Sequence, residues 1–204
     1  MSNNKPVYYF AYGSNLSFAQ MRRRCPSSRP LGLAFLRQYT FIINGRGYAN
    51  VVQNGADDVA NDAGVYGVVY KIGPDDEASL DRCEGVPYAY TKEYMSVDFV
   101  RLHYREDVEA VAGLIPESED ASDIDGRRVL RRTHVLVYID RERTSPGPPQ
   151  PEYVERMSRG VEEASRLGLP KVYVTGTIGR WIPRLMIPTI YTAAAEDLAS
   201  SSTA

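Results

Sequence analysis

The chain has 204 residues, a formal net charge of −2 at pH 7, 43% hydrophobic residues and two cysteines. That length fits one substantial core rather than two, the weak acidity argues against non-specific nucleic-acid binding, and two cysteines make neither a disulfide framework nor a zinc site. Residues 1–6 are polar and the apolar run behind them is far too short for a signal peptide or a membrane span, so a soluble, cytoplasmic protein in a reducing compartment is expected.

Residues 7–12 read as a buried strand, nearly all apolar or aromatic. Gly13, Ser14 and Asn15 stop it in a tight turn. A helical pattern over 17–24 follows, with Ser14 or Asn15 as its cap and Cys25-Pro26 as its stop. Such a turn points backbone N–H groups past the strand end, where they can hold a carboxylate or a developing oxyanion. Residues 31–43 carry one or two strands closed by Asn44-Gly45, a hairpin signal. A short strand over 48–53 leads into a polar loop over 53–61. The second clear strand is 65–72, in which Gly67 marks a close backbone approach.

Asp75, Asp76 and Glu77 open a helix at the end where the macrodipole favours acids. Leu80 is its core-facing position and Gly85 its C-terminal stop. Residues 93–102 alternate as a strand. The stretch 103–132 is charge-rich, with a solvated acidic loop at 117–125. A strand returns over 133–140, followed by a stiff proline connector at 145–151. A helix over 152–167 is stopped by Gly168 and Pro170. Residues 181–188 read as extended packing and 192–204 as a frayed tail. No repeat is visible. Strands outnumber helices, so the fold expected is α+β, a single domain on a strongly curved or closed, mostly antiparallel sheet.

The chain contains no G-x-S-x-G elbow, P-loop, dinucleotide fingerprint or H-E-x-x-H. His103 and His134 lack metal-ligand spacing. What remains is the anion-holding turn and Glu84. A partly buried carboxylate at a helix C-terminal end has a raised pKa, which makes it a usable general base and acid near neutral pH. A solvated helix-end acid is the other reading, and the residues alone favour it. The 15 tyrosines against 5 phenylalanines fit a cavity with polar contents and half-buried strands equally well.

Tyr9-Phe10-Ala11-Tyr12-Gly13-Ser14-Asn15-Leu16 resembles the opening motif of the γ-glutamylcyclotransferase (AIG2-like) family. Val65-Tyr66-Gly67-Val68-Val69-Tyr70-Lys71-Ile72 resembles its central strand. Leu80-Asp81-Arg82-Cys83-Glu84-Gly85-Val86, with Tyr88 and Tyr90 behind it, resembles the segment bearing its catalytic glutamate. Val135-Leu136-Val137-Tyr138 resembles a later strand with a substrate-contacting tyrosine. The resemblance runs from about residue 8 to 170 in the same order.

It implies a barrel-like domain over 7–183; the stretch 103–132 departs from the family pattern as an insertion that forms a lid or a homodimer contact or is disordered, and 184–204 is an extension without a family counterpart. It also implies a cofactor-independent carbon–nitrogen lyase of the amidine-lyase class, with no metal. The α-amine of a γ-glutamyl amide attacks its own γ-carbonyl, giving 5-oxoproline and a free amine or amino acid. Glu84 is then the general base and acid. Tyr9, Phe10, Ala11, Tyr12, Gly13, Ser14, Tyr90 and Tyr138 bind substrate, with Tyr88 competing for the place of Tyr90. Backbone N–H groups at Gly13 and Ser14 steady the oxyanion. The partner implied is a small γ-glutamyl molecule, with no nucleic acid and no membrane. The leaving group stays open between an amino acid, a γ-glutamylamine and a glutathione-derived conjugate, and a non-catalytic binding domain of the same fold is the contrary reading. Asn15 is expected to cap, and Cys83 to be a small core residue.

Overall fold

The computed structural model describes residues 7–55, 63–102, 130–182 and 185. The apolar runs form β1 (Val7–Ala11), β2 (Arg29–Arg37), β5 (Gly64–Ile72), β6 (Thr91–Leu102) and β7 (Leu130–Ile139). These five close a barrel in the order β1-β5-β2-β6-β7. Every pairing is antiparallel except the closing one, where β1 runs parallel to β7 through Tyr9 and Leu136. β3 (Tyr39–Ile43) and β4 (Ala49–Gln53) form a separate two-stranded hairpin. The Asn44-Gly45 turn signal sits between them as expected.

Residues Tyr8 to Ala11 are all buried, because the barrel interior takes one face of β1 and the covering elements take the other. That explains why the strand reads as a continuous apolar run rather than an alternating one. Gly67 of β5 is a close approach: a Cβ there would lie 2.6 Å from the Ala11 carbonyl oxygen and from the Phe10 ring. Phe10 and Tyr70 are fully buried, and truncating either to Ala should cost about 3–5 kcal/mol.

A single 3₁₀ turn, Ser14–Leu16, joins β1 to α1 (Phe18–Arg24). The cap of α1 is Ser17, whose hydroxyl accepts the Gln20 N–H at 3.1 Å. Neither Ser14 nor Asn15 caps it, because the 3₁₀ turn moves the helix start three residues on. α2 (Pro74–Glu84) ends at Gly85, whose φ of 65° is left-handed. The Val86 N–H bonds the Asp81 carbonyl at 3.0 Å and the Gly85 N–H bonds that of Arg82 at 3.3 Å, a Schellman closure.

α3 (Pro151–Ser165) begins on its proline and buries Tyr153, Met157, Val161 and Ala164, spaced four, four and three apart along one face. The connector before it is tied to the hairpin by Gly147 N–H to the Ile43 carbonyl at 2.8 Å.

Two expectations change. β7 starts at Leu130 rather than at 133, because residues 130–132 find partners in Phe99, Asp98 and Val97 of β6. Trp181 is helical, not extended. Lys171–Tyr173, a π-helical turn Val174–Ile178, and Gly179–Trp181 run on as helix, burying Tyr173, Val174 and Ile178. The insertion at 103–129, the loop at 56–62 and the tail beyond 185 lie outside the described residues. Among the described residues no helix is long and apolar enough to cross a membrane.

Candidate active site

A cavity of about 240 Å³ opens at the barrel end where β1 stops. Its wall is drawn from the 12–15 turn, the C-terminus of α2, the β3–β4 turn and the first turns of α3, with Tyr9 of β1, Arg24 of α1, Tyr138 of β7 and Tyr90 between them. The Schellman closure fixes the last residue of α2, and that residue is Glu84.

Glu84 is held by one oxygen. Its Oε1 accepts Asn15 Nδ2 at 3.0 Å and faces Arg24 Nη1 at 3.4 Å. Oε2 has no hydrogen-bond partner among the described residues. The side chain is 17% exposed. Burial pushes its pKa above the ordinary carboxylate value, and Arg24, the Asn15 bond, Arg156 and Arg46 hold part of that rise back. The rise was expected for a partly buried carboxylate at a helix end, and loss of water is its largest cause.

Asn15 is the hub of the site. Its Nδ2 also donates to the Tyr9 hydroxyl at 2.9 Å, while its Oδ1 accepts Gln20 Nε2 at 2.8 Å and Arg24 Nη1 at 3.1 Å. A guanidinium can only donate, so Oδ1 must face Arg24 and the amide must turn its NH₂ to Glu84. The Asn15 carbonyl accepts the Tyr70 hydroxyl at 3.0 Å. An asparagine with every side-chain hydrogen bond used is a positioning residue, not a helix cap.

Ser14 is surrounded by donors. Its Oγ accepts Gln20 Nε2 at 2.9 Å and Arg156 Nη2 at 2.8 Å. No carboxylate or imidazole bonds it among the described residues, so the arrangement lacks the base that a nucleophilic serine needs. The Ser14 N–H already donates to the Tyr153 hydroxyl at 3.2 Å, which corrects the expectation of a turn with that N–H unpartnered.

Tyr9, Tyr12, Gly13, Ser14, Tyr90 and Tyr138 all line the cavity with Glu84. Phe10 and Ala11 do not. Both are completely buried in β1: a strand that puts Tyr9 at the cavity turns Phe10 away, and Ala11, on the Tyr9 face, is sealed within the core. The Tyr12 hydroxyl donates to the Tyr138 carbonyl at 2.6 Å, Tyr138 donates to Asp81 Oδ1 at 2.7 Å, and Tyr90 donates to the Ala49 carbonyl at 2.8 Å. Tyr88 is 87% exposed, so of the two tyrosines it is Tyr90 that reaches the cavity. Burial raises the pKa of Tyr9 and Tyr12, with the Glu84 charge adding to it; both stay neutral hydroxyls.

Sequence reasoning missed Arg24, Arg46, Tyr48, Tyr153 and Arg156. Arg24 belongs to the run Arg22-Arg23-Arg24, a pattern that by itself suits a solvated helix face. Arg46 and Tyr48 flank the hairpin turn, which was read only as a turn. Tyr153 and Arg156 are three apart on an amphipathic helix, a spacing that would have placed them side by side. Cys83 is exposed and lines the cavity. It was expected in the core, but Leu80 and Glu84 take the inward face of α2 and leave position 83 beside it. Cys25 is the buried thiol, pushed up to about 12 by burial. His134 stacks on Tyr94 at 5.0 Å, outside the cavity. Among the described residues no group of three or more His, Cys, Asp or Glu could hold a metal ion.

Residues 9–145 match the family described as gamma-glutamyl cyclotransferase, AIG2-like. The chain belongs to that family. No curated protein matches the chain. Among solved structures, the human uncharacterized protein loc79017 is similar with a TM-score of 0.56 at 22% identity, over 90% of this chain and 89% of that one. A gamma-glutamyl cyclotransferase is similar with a TM-score of 0.54 at 22% identity over the same shares. YkqA from Bacillus subtilis follows with a TM-score of 0.52 at 21% identity, over 78% of this chain and 49% of that one. At these identities the structures speak for the fold, and the family match places both the opening motif and Glu84 within its span.

Proposed function

We propose that the chain cyclises γ-glutamyl amides to 5-oxoproline, with Glu84 as general base and then general acid. The observation that carries this reading is a carboxylate at a cavity wall, bonded through one oxygen only and raised in pKa by burial. Such a group is a better proton acceptor than an ordinary surface carboxylate and can hand the proton on.

The step needs nothing from outside. Glu84 takes a proton from the substrate α-ammonium. The freed amine attacks the side-chain carbonyl, forming the new nitrogen–carbon bond of a five-membered ring. The tetrahedral centre collapses and the amide nitrogen–carbon bond breaks as the proton held by Glu84 passes to the departing amine; the second proton of the ring nitrogen then goes through Glu84 to the same amine, which leaves as its ammonium. Because the nucleophile is intramolecular, the protein mainly has to fold the substrate, and orientation can account for much of the barrier. Tyr9, Tyr90 and Tyr138 give that fold rigid walls. Oxyanion donors are drawn from the cavity rim, with the Ser14 N–H joining only where the oxyanion displaces Tyr153.

The test is the product and its dependence on the α-amine. γ-Glutamyl-alanine should give 5-oxoproline with alanine, and the same compound acetylated on its α-amine should bind, by competition, without reacting. Free glutamate as the direct product would mean hydrolysis and overturn the reading.

A further inference from the structure

Tyr138 lines the cavity, and its hydroxyl gives its only proton to Asp81 Oδ1 at 2.7 Å. Toward a ligand that oxygen can then only accept. Tyr12 and Tyr90 have spent their protons too, but on the backbone carbonyls of Tyr138 and Ala49. Of these three, Tyr138 alone donates to a charged group. A hydroxyl bonded to a carboxylate is itself the more electron-rich acceptor.

The carboxylate that takes this proton is fixed from both sides. Asp81 lies three residues before Glu84 on α2, so the two acids are neighbours on the helix surface. Its other oxygen, Oδ2, accepts Lys92 Nζ at 3.1 Å. Lys92 also reaches Glu77, one turn earlier on the same helix. Lys92 and Tyr138 stand opposite each other on β6 and β7, so one cross-strand pair grips one helix. On the cavity side the Tyr9 ring meets the Tyr138 ring edge-on at 5.6 Å. The Tyr9 hydroxyl accepts from the same Asn15 amide that holds Glu84. Tyr138 thus has its hydroxyl on Asp81 and its ring against the group of side chains that orients Glu84. Asp81 itself is not one of the residues that line the cavity.

We propose that Asp81 is a positioning residue: by taking the Tyr138 proton, it makes the Tyr138 oxygen an acceptor for the α-ammonium of the substrate. Once Glu84 has removed one proton, the same oxygen holds an N–H of the amine and aims its lone pair at the γ-carbonyl. This rests on the cyclisation reading above. It goes further by giving the wall beside Glu84 a hydrogen-bond polarity and naming the residue that sets it.

A carboxylate that only clamped α2 to the barrel would make the same bonds, and Asp81→Asn separates the two roles. Lys92 can only donate, so the new amide must turn its oxygen to Lys92 and its NH₂ to Tyr138. The clamp survives, while the Tyr138 proton is released toward the cavity. The test uses the full chain, follows kcat/KM for γ-glutamyl-alanine by 5-oxoproline release, and measures by calorimetry the binding of glutaryl-alanine, the same molecule without its α-amine. Asp81→Asn should lower kcat/KM about ten- to a hundredfold and change glutaryl-alanine binding less than about threefold. Tyr138→Phe should cost less, and adding Asp81→Asn to it should cost less than about threefold more, because no hydroxyl is left to turn. An equal loss from Asp81→Asn with and without the hydroxyl would overturn the inference, as would a matching loss of glutaryl-alanine binding or near wild-type turnover. All three leave cyclisation standing, whereas no 5-oxoproline from the unaltered protein would overturn both. Should Asp81→Asn fail to fold, Tyr138→Phe decides: a loss confined to the amine-bearing molecule supports the acceptor, and unchanged turnover overturns it.

Discussion

Glu84 and Glu163 are two half-buried glutamates on different helices, and they are used in opposite ways. Glu163 of α3 spends both oxygens. Oε1 accepts the Ser17 hydroxyl at 2.8 Å and Oε2 the Ala19 N–H at 3.0 Å. It sits at the N-terminus of α1, where the macrodipole welcomes negative charge. Glu84 lies at the C-terminal end of its own helix, spends one oxygen and is raised in pKa. The first carboxylate is a fastener between helices. The second is held in place but left free to exchange a proton.

The sharpest way to break the comparison is Glu84→Gln. It keeps the shape and removes the base, so 5-oxoproline release should fall by about 10²–10⁴-fold. The stability sign is the reverse. A carboxylate whose folded pKa is raised favours the folded state fully below its unfolded pKa, about 4.3, and that contribution is lost as pH rises through the raised folded value. Above that raised value the ionised Glu84 is thus a burden that Gln removes, and the melting temperature there should hold or rise. Near wild-type turnover in this variant would sink the assignment.

Gly13→Val comes next. A Cβ at Gly13 would lie 2.8 Å from the Tyr153 hydroxyl and 3.1 Å from the Ala49 Cβ, so the turn must shift. A displacement of this kind near the reacting atoms costs on the order of 10²-fold, readable in kcat/KM alongside a melting curve. Arg24→Gln sharpens the proton side. Arg24 opposes the rise in the Glu84 pKa, so its loss should move the acid limb of the pH–rate profile upward. That limb belongs jointly to Glu84 and the substrate amine. A limb that stays put would mean another group controls it. Glu163→Ala should be smallest in rate and visible only in stability. Losing the α1 fastening should cost about 0.5–2 kcal/mol in chemical denaturation, with turnover changed less than about threefold. A large rate loss there would erase the contrast between the two glutamates.

Much of the architecture was legible because its signals are local. The apolar run at 7–11, the Asn44-Gly45 turn and the acids opening α2 each depend on a few adjacent residues. Barrel closure was legible only as a fold type, since no local pattern says that Tyr9 pairs with Leu136. At the site, Glu84 and the Tyr12–Ser14 turn could be read through motifs. The work of Asn15 could not, because its partners Tyr9, Gln20, Arg24 and Glu84 come from three elements, and only folding brings them together. The same holds for Arg46, whose second stacking partner Tyr90 lies 44 residues further along the chain. Phe10 and Ala11 show the converse error: belonging to a motif placed them at the cavity, whereas strand alternation faces Phe10 away and the core encloses Ala11 completely.

The parallel seam between the first and last strands has a consequence for how the molecule comes into being. Tyr12 bonds the backbone of a residue 126 positions away, and β1 has no seam partner until β7 has been made. A chain emerging from the ribosome can therefore assemble the hairpin and α2 early, yet it cannot finish the cavity before nearly all of the barrel exists. Contacts so distant in sequence form late and slowly. Refolding followed by two clocks, helix signal and product formation, should show the helices returning first and catalysis arriving only with the seam.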